Sequence, residues 1–146
     1  MTTAAREALE DAREAVAELI DGLQGRLWRR RWFAAVALLR TVGYVLRYVD
    51  RKKGQKYQAA IDVEWRKLQA EPLFVFLKTE RDNIIKEYRH SAGQGATVDL
   101  WGKTTKHHYP INSGPYKDRD QRDVLREVIT LWERYLDAVD KTAGAP

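Results

Sequence analysis

Residues 27–50 read LWRRRWFAAVALLRTVGYVLRYVD, and their spacing decides the fold. Trp28, Trp32, Ala35, Leu39, Val42, Leu46 and Val49 recur at steps of four and three, the period of one helix face. Val36, Leu38 and Val45 widen the stripe, so a helix from Leu27 to Asp50 is expected to be the most buried element. Arg51-Lys52-Lys53-Gly54 should stop it, with cations where the helix dipole favours them.

The same spacing recurs on either side. Upstream, Ala5, Leu9, Ala12, Val16, Leu19 and Leu23 predict an amphipathic helix closed by Gly22 and Gly25. Downstream, Ile61, Trp65 and Leu68 predict a helix over 55–69. Pro72 suits the first turn of a fourth helix, which carries Leu73, Leu77, Ile84 and Tyr88 and reaches about His90. A fifth helix starts at Asp118 or Asp120, runs through Val124, Val128, Trp132, Tyr135 and Val139, and leaves residues 141–146 as a frayed tail. Residues 91–116 differ in composition and are too long for an ordinary connection. They read either as a surface loop or as a small hairpin pairing Thr97–Trp101 with His107–Ile111. The expected architecture is therefore a single all-α domain over 1–146, an antiparallel bundle of four to five helices with an excursion between the last two.

At 146 residues the chain has one domain's length. It contains no cysteine, which excludes disulfide scaffolds, thiolate metal sites and cysteine nucleophiles. His107-His108 lacks further ligands at metal-binding spacing, and Gly93-x-Gly95 lacks the rest of a phosphate loop, so neither metal nor cofactor is expected. The uncharged apolar stretch Trp32–Leu39 falls short of the roughly 20 residues of a membrane span. The start carries acids where a secretory signal would be apolar, so a cytoplasmic protein with no membrane partner is expected. Trp28, Trp32, Trp65 and Trp132 sit at core spacings, and Trp101 is expected to cover the bundle, with base stacking as the alternative.

The net charge is +5, and it is concentrated. Residues 25–60 hold ten Lys/Arg against the single acid Asp50, whereas residues 1–24 hold two arginines and six acids. Arg26, Arg29, Arg30 and Arg31 oppose the dipole at the start of the second helix. Two readings stay open: Arg29, Arg30 and Arg31 contact RNA phosphates, or the block docks against Glu7, Glu10, Glu14 and Glu18. Arg40 and Arg81 each interrupt an apolar helix face, which calls for an ion-pair network or an anion site.

Residues 81–88, R-D-N-I-I-K-E-Y, resemble the R-x-x-x-x-H-x-Y signature of the HEPN superfamily, all-helical ribonucleases and nucleotide-binding modules of bacterial toxin–antitoxin and anti-phage systems. Arg81 falls on the signature arginine, Tyr88 on its tyrosine, and Lys86 stands where the family has histidine. LLRTVGYVL with FVFLKTERDNIIKEY is also similar to a group of small bacterial proteins sharing this pattern. The resemblance implies a homodimer that binds RNA, or cleaves it without metal, with an antitoxin as a further partner. Arg81 and Arg40 would grip the phosphate, Lys86 would stabilise developing charge, and Tyr88 would position the group. Arg81 is expected in a polar cleft beside Arg40 or Tyr44, within reach of the second subunit. The alternative is a non-catalytic dimeric interaction module, or an accessory component of a larger assembly, whose arginines take a partner's carboxylates.

Overall fold

The computed structural model describes residues 1–145. It is 67% helical, with five α-helices and one two-stranded sheet. The decisive stretch forms α2, Gly25–Tyr48, whose Trp28, Trp32, Ala35, Val36, Leu39, Val42 and Leu46 are fully buried. After Tyr48 the chain tightens into a 3₁₀ turn, Asp50–Lys53, and Gly54 breaks it at φ +144°.

Helix α1, Thr3–Ala17, is shorter than its apolar stripe. Leu19 enters the core from outside the helix, and Gly22 and Gly25, both at positive φ, shape the link to α2 instead of closing α1. Two buried aspartates hold the start of α1. Asp50 accepts from Ala5 N at 2.8 Å, and Asp140 accepts from Thr2 N at 2.7 Å, satisfying donors that a helix N-terminus leaves free. Since those aspartates close α2 and α5, α1 runs antiparallel to both. Arg6 with Asp137 and Arg13 with Glu133 continue the α1–α5 seam.

Helix α3 is Gln55–Gln69 and α4 is Pro72–Glu87, with Pro72 in its first turn as the sequence implies. Helix α4 does not reach His90: Tyr88 turns left-handed at φ 53° and caps it. Helix α5, Gln121–Ala143, is capped by Asp120, which accepts from Arg122 N at 2.8 Å. Residues 141–143 are helical and Gly144 is the left-handed C-cap, so the expected fraying does not occur there; Pro146 lies outside the described residues.

The excursion is a hairpin. Strands β1 (Gly95–Val98) and β2 (Thr104–His108) pair antiparallel with Thr97 opposite Lys106. The strands lie two to three residues nearer the N-terminus than their apolar residues suggest, because Asp99 starts the turn. Its Oδ1 accepts from Trp101 N and Lys103 N, each at 2.9 Å. Gln121, fully buried, ties the root of the excursion to the bundle. It accepts from Trp28 Nε1 at 2.7 Å and donates to the carbonyls of Gly93 and Pro110 at 2.6 and 2.9 Å.

The segment Gly25–Lys53 is long and apolar enough to cross a membrane, contrary to the expectation drawn from its uncharged stretch alone. In this fold its apolar face is the centre of the protein core.

Candidate functional site

Arg40 is the most unusual side chain of the bundle. It is 6% exposed, and its Nε and Nη1 have no hydrogen-bond partner. Its guanidinium sits among three rings, 4.6 Å from Tyr44, 5.1 Å from Phe74 and 5.8 Å from Trp65. Gly43 makes this possible: a Cβ there would fall 3.0 Å from Arg40 Nη1 and 2.9 Å from Trp132. Burial holds the Arg40 pKa below its ordinary value; the Tyr44 phenol and Asp82 oppose that shift, while Arg81 and Arg47 add to it by like-charge repulsion.

Arg81, from α4, lies over the other reach of the same Tyr44 ring at 5.6 Å. Its Nη1 bonds Asp82 Oδ1 at 2.9 Å, and both side chains are 29% exposed. That bond holds the Asp82 carboxyl below its usual range, with Lys86 and Lys78 adding to the effect. Arg47, 4.7 Å from the Trp65 ring, brings a third cation to this end of α2. Of these three guanidiniums only Arg81 is paired with a carboxylate, an arrangement that favours a further anion such as phosphate or carboxylate.

Neither Lys86 nor Tyr88 contacts Arg81 directly, although Lys86 lies close enough to act on Asp82. Lys86 is exposed, and five residues after Arg81 it leaves α4 about 140° away around the axis. Tyr88 packs edge-on to Phe33 at 5.5 Å, under the Arg29 guanidinium at 5.5 Å, and Phe33 also meets His90 at 5.6 Å. Phe33 and Tyr44 are eleven residues apart on α2, or roughly 16 Å. Within one chain, Arg81 is therefore brought to Arg40, Tyr44 and Asp82, with Lys86 near enough to Asp82 to act on its carboxyl, and not to Tyr88.

The basic block does not dock on the acids of α1. Among the described residues no carboxylate pairs with Arg26, Arg29, Arg30 or Arg31; Arg31 donates to the Glu18 carbonyl at 2.7 Å. Glu10 pairs instead with Arg13 on its own helix. The hairpin joins the block: Gly25 N donates to Gln94 Oε1 at 2.7 Å, and Gln24 bonds His107 at 3.3 Å. Trp101 does not cover the bundle. It is 87% exposed at the hairpin tip, beside Leu100 at 95%.

A feature the sequence concealed lies on the opposite face of α4. An apolar cleft of about 370 Å³ runs between Val75, Phe76 and Pro115. At its edge buried Glu80 accepts from Ser91 N at 2.8 Å and from Ser91 Oγ, and burial holds its carboxyl above the usual range. The only sequence signal is a glutamate on an apolar face.

Comparison of the chain with models of protein families, with curated proteins and with solved structures finds no match.

Proposed function

We propose that this protein binds RNA, with Arg40 and Arg81 taking a backbone phosphate over the Tyr44 ring. The observation that carries the reading is Arg40, a buried cation with two unpartnered nitrogens and a second arginine on the same ring. Folding gains little from such a group, whereas a phosphate drawn in against the Arg40–Arg81 pair would offset the like-charge repulsion. The HEPN-like motif supplies the same assignment for Arg81, and the ten cations of residues 25–60 supply the surrounding field.

Binding is favoured over cleavage. The groups around Arg81 are Arg40, Tyr44 and Asp82, and none shuttles protons readily near neutral pH. Tyr88 would enter the site only from a second subunit, and Lys86 reaches it within one chain only as far as Asp82, so metal-independent cleavage rests on the proposed two-fold dimer. In that form the protein would act in the cytoplasm as part of a toxin–antitoxin or anti-phage system.

One observation favours the second reading, an interaction module that binds acidic protein. Arg81 already takes a carboxylate, Asp82, within its own chain. Competition separates the two. A short labelled single-stranded RNA is bound by the protein and challenged with polyglutamate. RNA binding that collapses with salt and resists polyglutamate supports the first reading. Failure to bind RNA, with polyglutamate bound, establishes the second.

A further inference from the structure

Trp101 is displayed where nothing in the chain uses it. The other four tryptophans are buried in the core. Trp101 and Leu100 occupy the tip of the β1–β2 turn, and that tip is rigidly built. Asp99 Oδ1 holds the amides of Trp101 and Lys103, Asp99 N donates to Lys103 O at 2.8 Å, and Gly102 at φ +79° closes the turn on Asp99 O at 3.1 Å. The backbone that carries Trp101 is thus held in place and loses little freedom on binding.

The surroundings are cationic. Lys103 and Lys106 are exposed, and among the described residues neither has a carboxylate partner. The hairpin root is hydrogen-bonded to the start of α2, so these lysines continue into Arg26 and Arg30, which are likewise unpaired among the described residues. Fifteen residues of α2, or roughly 22 Å, separate Gly25 from Arg40. The strands are largely polar, with Thr97, Thr104, Thr105, Lys106 and His108 exposed, so the hairpin's exposed large apolar side chains are confined to Val98, Leu100 and Trp101 at and beside the tip.

We propose that the hairpin tip is a stacking platform for an unpaired base, which makes the ligand single-stranded RNA and not duplex. This rests on the RNA-binding reading above. Cations running from the tip into the bundle fit a strand that passes from Trp101 along α2, whereas a lipid-inserting tip needs its apolar surface to extend beyond two or three residues.

The test uses full-length protein with Trp101→Ala and Trp101→Phe, substitutions at an exposed position that leave the helical circular dichroism unchanged. Affinities are measured for a labelled single-stranded RNA, for the same RNA annealed to its complement, and for phosphatidylserine vesicles. The expected result is that Trp101→Ala weakens single-strand binding about ten-fold with an unchanged salt slope, and that Trp101→Phe keeps most of the affinity. Equal single-strand affinity for wild type and Trp101→Ala overturns the platform alone. Equal wild-type affinity for duplex and single strand overturns the choice of ligand. Loss of vesicle binding without loss of RNA binding makes the tip a lipid anchor. Absence of RNA binding by wild type removes the RNA reading itself.

Discussion

Arg40 and Arg81 both lie against one phenol ring, their guanidinium carbons 4.6 and 5.6 Å from the centroid of Tyr44. The pair comes from two antiparallel helices, with Phe33 against Tyr88 marking the opposite end of the same seam. Two like charges at one ring, the deeper of them lacking partners for Nε and Nη1, are an electrostatic cost of folding.

That cost is measurable. Arg40→Met keeps a long apolar stem among Tyr44, Phe74 and Trp65 and removes the buried charge. Urea denaturation should show the variant equally stable or about 1 kcal/mol more stable. Gly43→Ala should do the reverse, losing about 1–3 kcal/mol by forcing a Cβ against Trp132 and Arg40.

Gln121 links three segments through one side chain. Gln121→Leu strands the Trp28 indole N–H and the carbonyls of Gly93 and Pro110. The expected loss is at least about 2 kcal/mol. Hydrogen exchange should quicken first in residues 93–110, with α1 and α5 still protected.

Glu80 gives a pH signature. Burial raises its folded pKa above the unfolded value, so the native state binds this proton more tightly. Its contribution to stability is complete below the unfolded value of 4.5 and is lost as pH rises through the folded one. Relative to Glu80→Gln, wild-type stability should decline over that window, as followed by denaturant midpoints at successive pH values.

Assembly is accessible to light scattering. Ile85 is 63% exposed on α4, and Ala34 and Ala37 are exposed on α2, the helix α4 packs against. The proposed two-fold dimer would bury this face, so Ile85→Arg should yield monomers of unchanged helicity. A wild type that stays at 17.0 kDa across tens of micromolar contradicts the dimer.

The helices were legible because each repeats apolar residues at three and four, and the limits of α3 follow from the sequence itself. Their ends were less so. Leu19 packs in the core without being helical, and Tyr88 stops α4 by a left-handed turn that an aromatic residue rarely adopts. Arg40 and Arg81 are legible as anomalies on apolar faces, and the sequence places Arg40 or Tyr44 near Arg81; that both arginines meet at the Tyr44 ring comes from the structure. The turn of about 140° between Arg81 and Lys86 follows from their five-residue offset, whereas the place of Tyr88 depends on where α4 ends. The Gln24–His107 and Gly25–Gln94 links join residues more than 60 positions apart, with no local pattern to announce them. Trp101 was misplaced because a tryptophan is usually worth more buried than displayed.

The central claim is that Arg40 binds phosphate, and the affinity of Arg40→Met for single-stranded RNA between about 50 and 200 mM salt tests it most directly. With the fold intact or stabilised, the account predicts roughly ten-fold weaker binding and a salt slope reduced by about one. Wild-type affinity and wild-type slope in that variant would contradict it.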